Sequence, residues 1–198
     1  AQNIKKLNFA HSFDEDIPIA ARNMAKRYRC GGSHAQCVEK LALRLFDVMK
    51  KHHGLSARER LLLQIAAILH GCGKFISTRN TGDCAYNIIM ATEIIGLSHK
   101  ERKLVANVVR LYGQEFDYDD DDTRVAKLTA LLRMANALDR SHKQKIENCR
   151  MSVKGGELAI TADYDGDISL ELFAVSFCQG FFEEIFGIKP VLKKKRRG

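Results

Sequence analysis

Residues 60–70, RLLLQIAAILH, constrain the fold more than any other stretch of this 198-residue chain. Just upstream, Ser56 is followed three residues later by Glu59, the pattern of a capping box that opens a helix. From there the helix is apolar on nearly every side. A helix of that kind is stable only when other elements surround it, so the fold has to be a bundle built around it. The stretch ends abruptly in His70 and Gly71. Either Gly71 is an ordinary helix-ending residue in the left-handed region, or the pair is what is left of a metal site.

The elements that would enclose this helix are legible on both sides of it. SHAQ (33–36) reads as a second capping box, with Val38, Leu41, Leu45 and Val48 at helical spacing behind it. SHKE (98–101) reads as a third, leading into LVANVVRLY and stopped by Gly113. In RVAKLTALLRMANALDR, one face carries Val125, Leu128, Leu131, Leu132, Ala135 and Leu138. Upstream, IPIAARNMAKRYR repeats the spacing with Ile17, Ala21, Met24 and Tyr28. Up to about residue 146 the chain reads as all-α.

The pattern then changes. CRMSVKGGELAITADY alternates on either side of Gly155-Gly156, a hairpin signature. DISLELFAVSFCQGFFEEIFG sets Leu170, Phe173, Phe177, Phe181 and Ile185 on one helical face, with Gly187 as its C-terminal cap. IKPVLK reads as a last short strand, and Pro190 argues that it lies at a sheet edge. The expected architecture is therefore mainly α. A helical domain (1–146) is followed by a small β-β-α-β subdomain with a basic tail (147–198).

Charge and cysteine content exclude several classes of function. Of the net +8, the KKKRR run at 193–197 supplies +5. It reads as a solvated tail that only weakly suggests nucleic acid, and no aromatic residues interleave with it to make a base-stacking platform. DYDDDD (117–122) lacks the glycine of a calcium-binding loop and reads as an exposed loop leading into a helix N-terminus. The six cysteines form no CxxC pair, and no signal peptide or long apolar span occurs. A reduced, cytoplasmic protein with no membrane contact is expected. The chain begins at Ala1, so either a methionine has been removed or it is a piece of something longer.

Two histidines on helices and a carboxylate on a later helix are what a divalent-metal phosphohydrolase needs, since imidazole and carboxylate hold the ion that activates water. His34 precedes Val38 by four residues and points inward with it; His70 ends the central helix. With no further information, His34 reads as a hydrogen-bonded core residue and His70 as a cation at a helix C-terminus. However, the stretches ARNMAKRY, HAQCVEKLALRLFD, ERLLLQIAAILHGCGKFIS and ALLRMANALDRS, together with the final β-β-α-β unit, are more specific. Over nearly its whole length the chain resembles the HD-like C-terminal half of the exopolyphosphatase/guanosine pentaphosphate phosphohydrolase family.

That resemblance implies an H…HD…D site with substitutions in it. His34 falls on the first histidine and His70 on that of the HD pair. Gly71 replaces the pair's aspartate, Asn136 the later one, and Asp83 stands about where a further histidine is expected. No resident cofactor is expected. If a metal such as Mn or Mg does bind, the remaining donors are His34, His70, Asp83 and Asp139. Arg22, Lys26, Arg27, Arg79, Arg133 and Arg140 are candidate anion contacts. In the family, phosphoanhydride hydrolysis belongs to actin-like domains with a glycine-rich phosphate cradle, which this chain lacks. The expectation is a non-catalytic accessory domain that binds polyphosphate or a guanine nucleotide, or pairs with itself or with an actin-like phosphohydrolase domain. The alternatives are a residual metal-dependent phosphohydrolase and a purely structural dimerisation module.

Overall fold

The computed structural model describes residues 2–114 and 122–196, with side-chain detail from Asp14 onward. In chain order the helical part comprises α1 (Gln2–Arg27), α2 (Ser33–Val48), the single turn α3 (Lys50–His53), α4 (Ala57–Leu69), a 3-10 turn (Cys72–Phe75), α5 (Thr81–Ala91), α6 (His99–Leu111) and α7 (Thr123–Ala137). Strands β1 (Arg150–Lys154) and β2 (Glu157–Ala162), helix α8 (Ser169–Phe186) and strand β3 (Lys189–Lys194) follow. A mainly helical protein with a small C-terminal sheet is what the periodicities predict.

The all-round apolar helix is α4, and it packs against α1, α2, α6 and α7. Leu63, Ile65, Ala67 and Leu69 are wholly buried although they point in different directions. Its start is fixed as expected, since Glu59 accepts from the Ser56 backbone N–H at 3.0 Å. At α6 both halves of the capping box form, Glu101 N–H to Ser98 Oγ at 3.1 Å and Ser98 N–H to Glu101 Oε1 at 3.0 Å. The box expected at Ser33 does not form. Gly32 is the residue before α2, Ser33 is already helical, and Gln36 reaches back to the Gly31 carbonyl instead.

The sheet runs in the order β1-β2-β3. The hairpin turns through Gly155 and Gly156, both at positive φ (59° and 75°), so only glycine suits this pair without strain. β3 pairs parallel to β2, with Ile160 opposite Leu192, and α8 makes the crossover. Pro190 sits on this edge strand, where a missing N–H costs no inner ladder bond. α8 packs on α7 and β1 against α2, so the hydrophobic core runs unbroken across residue 146.

One expectation about the C-terminal part needs correction, and the buried side of α8, which the sequence leaves open, is decided by the fold. Residues 193–194 of the basic run belong to β3, where Lys193 pairs with Glu157 at 3.0 Å, and the Lys195 N–H donates to Ala162. The run is thus half sheet rather than a free tail. In α8, the stripe Leu170-Phe173-Phe177 faces outward, while Glu171, Val175, Phe182 and Phe186 face in. Apolar residues lie on both sides of this helix, so periodicity alone does not decide which side is buried. Of the acidic run, residues 117–121 lie outside the described residues, and Asp122 caps α7 by accepting from the Arg124 N–H. Among the described residues no helix is long and apolar enough to cross a membrane.

Candidate functional site

Where α2, α4 and α7 converge, three of the residues singled out in the sequence meet. His34 comes from the first turn of α2, His70 from the end of α4 and Asn136 from the last turn of α7. The His34 and His70 rings lie edge to face with centroids 5.4 Å apart. His34 Nε2 is 3.0 Å from the Asn136 side-chain amide. Gly71 lines the same cavity, of about 380 Å³, along with Tyr28, Arg29, Cys30, Lys74, Phe75 and His142.

Asp139 lies beneath His34, one helical turn beyond Asn136 and wholly buried. It accepts the His34 Nδ1–H at 2.7 Å, the Gln144 backbone N–H at 2.7 Å and the Gln144 side-chain amide at 3.2 Å. Burial pushes its pKa up, but the bonds from His34 and Gln144 outweigh burial and hold the carboxyl below its usual range. Its role is to fix the His34 ring in place. On the other side His142, at φ 58°, stacks flat on His34 with centroids 3.6 Å apart. Burial, and then the neighbouring His34 and Lys74, push the His142 pKa down.

These donors do not fit an HD-type metal. Both His34 nitrogens are engaged, one by Asp139 and the other by Asn136. Gly71 offers no side chain, and Asp139 turns its oxygens to His34 and Gln144. Asp83 is exposed on the first turn of α5 and does not line the cavity. Among the described residues no group of three or more His, Cys, Asp or Glu side chains is arranged to hold a metal ion.

Gly71 also departs from its expected conformation. Its φ is −93°, because the chain leaves α4 directly into the 3-10 turn without passing through the left-handed region. A Cβ there would meet only Cys30 Cβ, at 3.4 Å. The candidate anion contacts scatter. Arg22 is ion-paired to Glu39, and with Lys26 it lines a different groove. Arg133 donates to the carbonyls of Leu111, Tyr112 and Gln114 and stacks over Phe181. Arg27, Arg79 and Arg140 are exposed and do not line the cavity. The cations at the cavity are Arg29 and Lys74, which the sequence reading did not single out. Both sit at helix-to-turn junctions, as His142 does, where no periodicity marks a residue.

His70 is buried, and its Nδ1–H donates to the Ala67 carbonyl at 2.6 Å. Burial lowers its pKa to about 4, so the ring is neutral at pH 7 with Nε2 unprotonated. An unfolded chain would protonate His70 near the ordinary value of about 6.5. The unfolded state therefore binds the extra proton between those limits, and folding stability falls as pH drops from about 6.5 to about 4. The expected loss is about 3 kcal/mol. Urea denaturation across that range should show it, and His70→Asn, which keeps the donor to Ala67 but cannot titrate, should flatten the pH dependence by that amount.

The family model of Ppx/GppA phosphatase, domain III, matches residues 19–185. Among curated proteins none matches the chain.

Proposed function

The chain belongs to the Ppx/GppA phosphatase domain III family, and from that premise we propose that this accessory domain binds a phosphorylated anion, polyphosphate or a guanine nucleotide, in the His34–His70–His142 cavity without hydrolysing it. The observation that carries this reading is the composition of the cavity wall. Arg29 and Lys74 bring positive charge to an opening otherwise lined by imidazole, aromatic and small residues. Guanidinium and ammonium groups are suited to phosphate oxygens, and release of counterions from a polyanion adds to the binding free energy.

The same geometry argues against hydrolysis. Phosphoanhydride cleavage needs an activated water and stabilisation of developing charge. His34 already spends both nitrogens on protein partners. His70 has an unprotonated Nε2, but with a pKa of about 4 it is a weak base at neutral pH. Arg22, engaged with Glu39, plays no part in this reading.

Titration of the chain with polyphosphate and with guanosine tetraphosphate tests the proposal. Lys74→Ala and Arg29→Ala should each weaken binding about tenfold and lower the salt dependence by about one charge. Truncation after Lys194 removes the end of the basic run but leaves β3 intact, and binding should survive it. Binding that vanishes with the truncation and ignores Lys74→Ala would assign the anion to the tail. Phosphate release by the chain would overturn the non-catalytic reading.

A further inference from the structure

Apart from its histidines, the cavity at His34, His70 and His142 is lined among the described residues by two cations, Arg29 and Lys74. Two positive charges balance one or two phosphate groups. A long polyanion needs a longer track of cations, and guanosine tetraphosphate carries diphosphates at two separate positions of its ribose. The rest of the wall is largely aromatic and apolar, and a volume of about 380 Å³ suits a small organic molecule.

Two groups in that wall indicate what the organic part is. Phe75 is 50% exposed, and its ring packs edge to face with Tyr28, centroids 5.6 Å apart. A half-exposed ring steadied in this way is a platform for stacking an aromatic base. His70 supplies the second constraint. Its Nδ1–H donates to the Ala67 carbonyl at 2.6 Å, so the neutral ring keeps a lone pair at Nε2. No hydrogen bond to Nε2 is found among the described residues. An acceptor in so buried a place calls for a donor. Away from its ends, polyphosphate at neutral pH has only acceptor oxygens, which that lone pair repels. A nucleobase carries N–H groups in the plane of its ring.

We propose that the cavity takes a nucleoside diphosphate, its base against Phe75, an N–H of the base donating to His70 Nε2, and its diphosphate at Arg29 and Lys74. This rests on the anion-binding reading above and narrows it to one class of ligand, which excludes polyphosphate.

Calorimetric titration of the full chain with guanosine diphosphate and with pyrophosphate tests the assignment. Guanosine diphosphate, whose base offers two N–H donors on one edge, should bind at least about tenfold more tightly than pyrophosphate, which has no base or ribose. Phe75→Leu keeps the apolar bulk without the flat ring. It should remove most of that difference and leave pyrophosphate binding unchanged. In the parent chain, the nitrogen NMR resonance of His70 Nε2 should move toward the protonated range with guanosine diphosphate and stay in place with pyrophosphate. Equal affinity for the two compounds would overturn the inference and leave an anion site at Arg29 and Lys74 standing. A nucleotide preference that survives Phe75→Leu, or an Nε2 resonance that ignores the nucleotide, would also overturn it. Binding of neither compound would overturn both readings.

Discussion

Gly73→Ala should destabilise the protein by about 3 kcal/mol or more. Gly73 lies in the 3-10 turn that follows α4, and its carbonyl accepts the N–H groups of Ile76 and Ser77. A Cβ at this position would sit 1.9 Å from the Thr81 carbonyl oxygen and 2.9 Å from the Ala85 nitrogen. Those atoms are the backbone of the first turns of α5, so no rotamer change relieves the clash. Either α5 or the turn has to move. The turn carries Lys74 and Phe75 into the cavity wall, so anion binding should weaken as well. Gly71→Ala, two residues away, serves as the control. At φ −93° and with only Cys30 Cβ at 3.4 Å, it should change stability by no more than about 1 kcal/mol. Urea denaturation of the two variants side by side decides the matter. Equal effects would mean that the close approach of the turn to α5 is wrong.

Asp139→Ala comes next, with an expected loss of about 3–5 kcal/mol. The substitution leaves the His34 Nδ1–H and the Gln144 backbone N–H without their acceptor in a place where water does not reach the carboxylate. Asp139→Asn keeps the shape and one acceptor oxygen, and should cost about half as much. The pH dependence has a definite sign. The folded-state pKa of Asp139 is lowered, so its contribution is present above the ordinary carboxyl range and is lost as pH falls through the lowered value. A loss below about 1 kcal/mol in Asp139→Ala would show that the pair does little to hold His34 in place.

Much of the fold could be read from the sequence because its elements carry local signatures. Ser56 with Glu59 and Ser98 with Glu101 mark two helix starts through bonds that span only three residues. Gly155-Gly156 marks the hairpin through its positive φ, and Gly187, at φ 66°, ends α8. The family resemblance marks His34, His70 and Asn136, and the fold does bring them together. Arg29, Lys74 and His142 carry no mark in the sequence. Each lies in a turn, where position depends on how neighbouring helices pack rather than on a repeat.

The sequence by itself determined the order of the elements that carry local signatures and the central place of α4, but α3, the 3-10 turn and α5 carried no such signature. Backbone hydrogen bonding and hydrophobic periodicity are short-range, and residues 60–70 admit no exposed side. Only the tertiary structure decided the rest. It placed Asp139 beneath His34 across more than a hundred residues of chain, so a plausible metal donor became a support for an imidazole. Gly71 runs on into a turn rather than capping a helix. In α8, which is apolar on two sides, the Glu171 carboxylate faces inward and accepts the Ser141 N–H at 3.1 Å, which leaves Leu170, Phe173 and Phe177 in solvent. Contacts of this kind join residues far apart in sequence, and no local pattern encodes which of two apolar faces, or which nitrogen of a histidine, will find its partner.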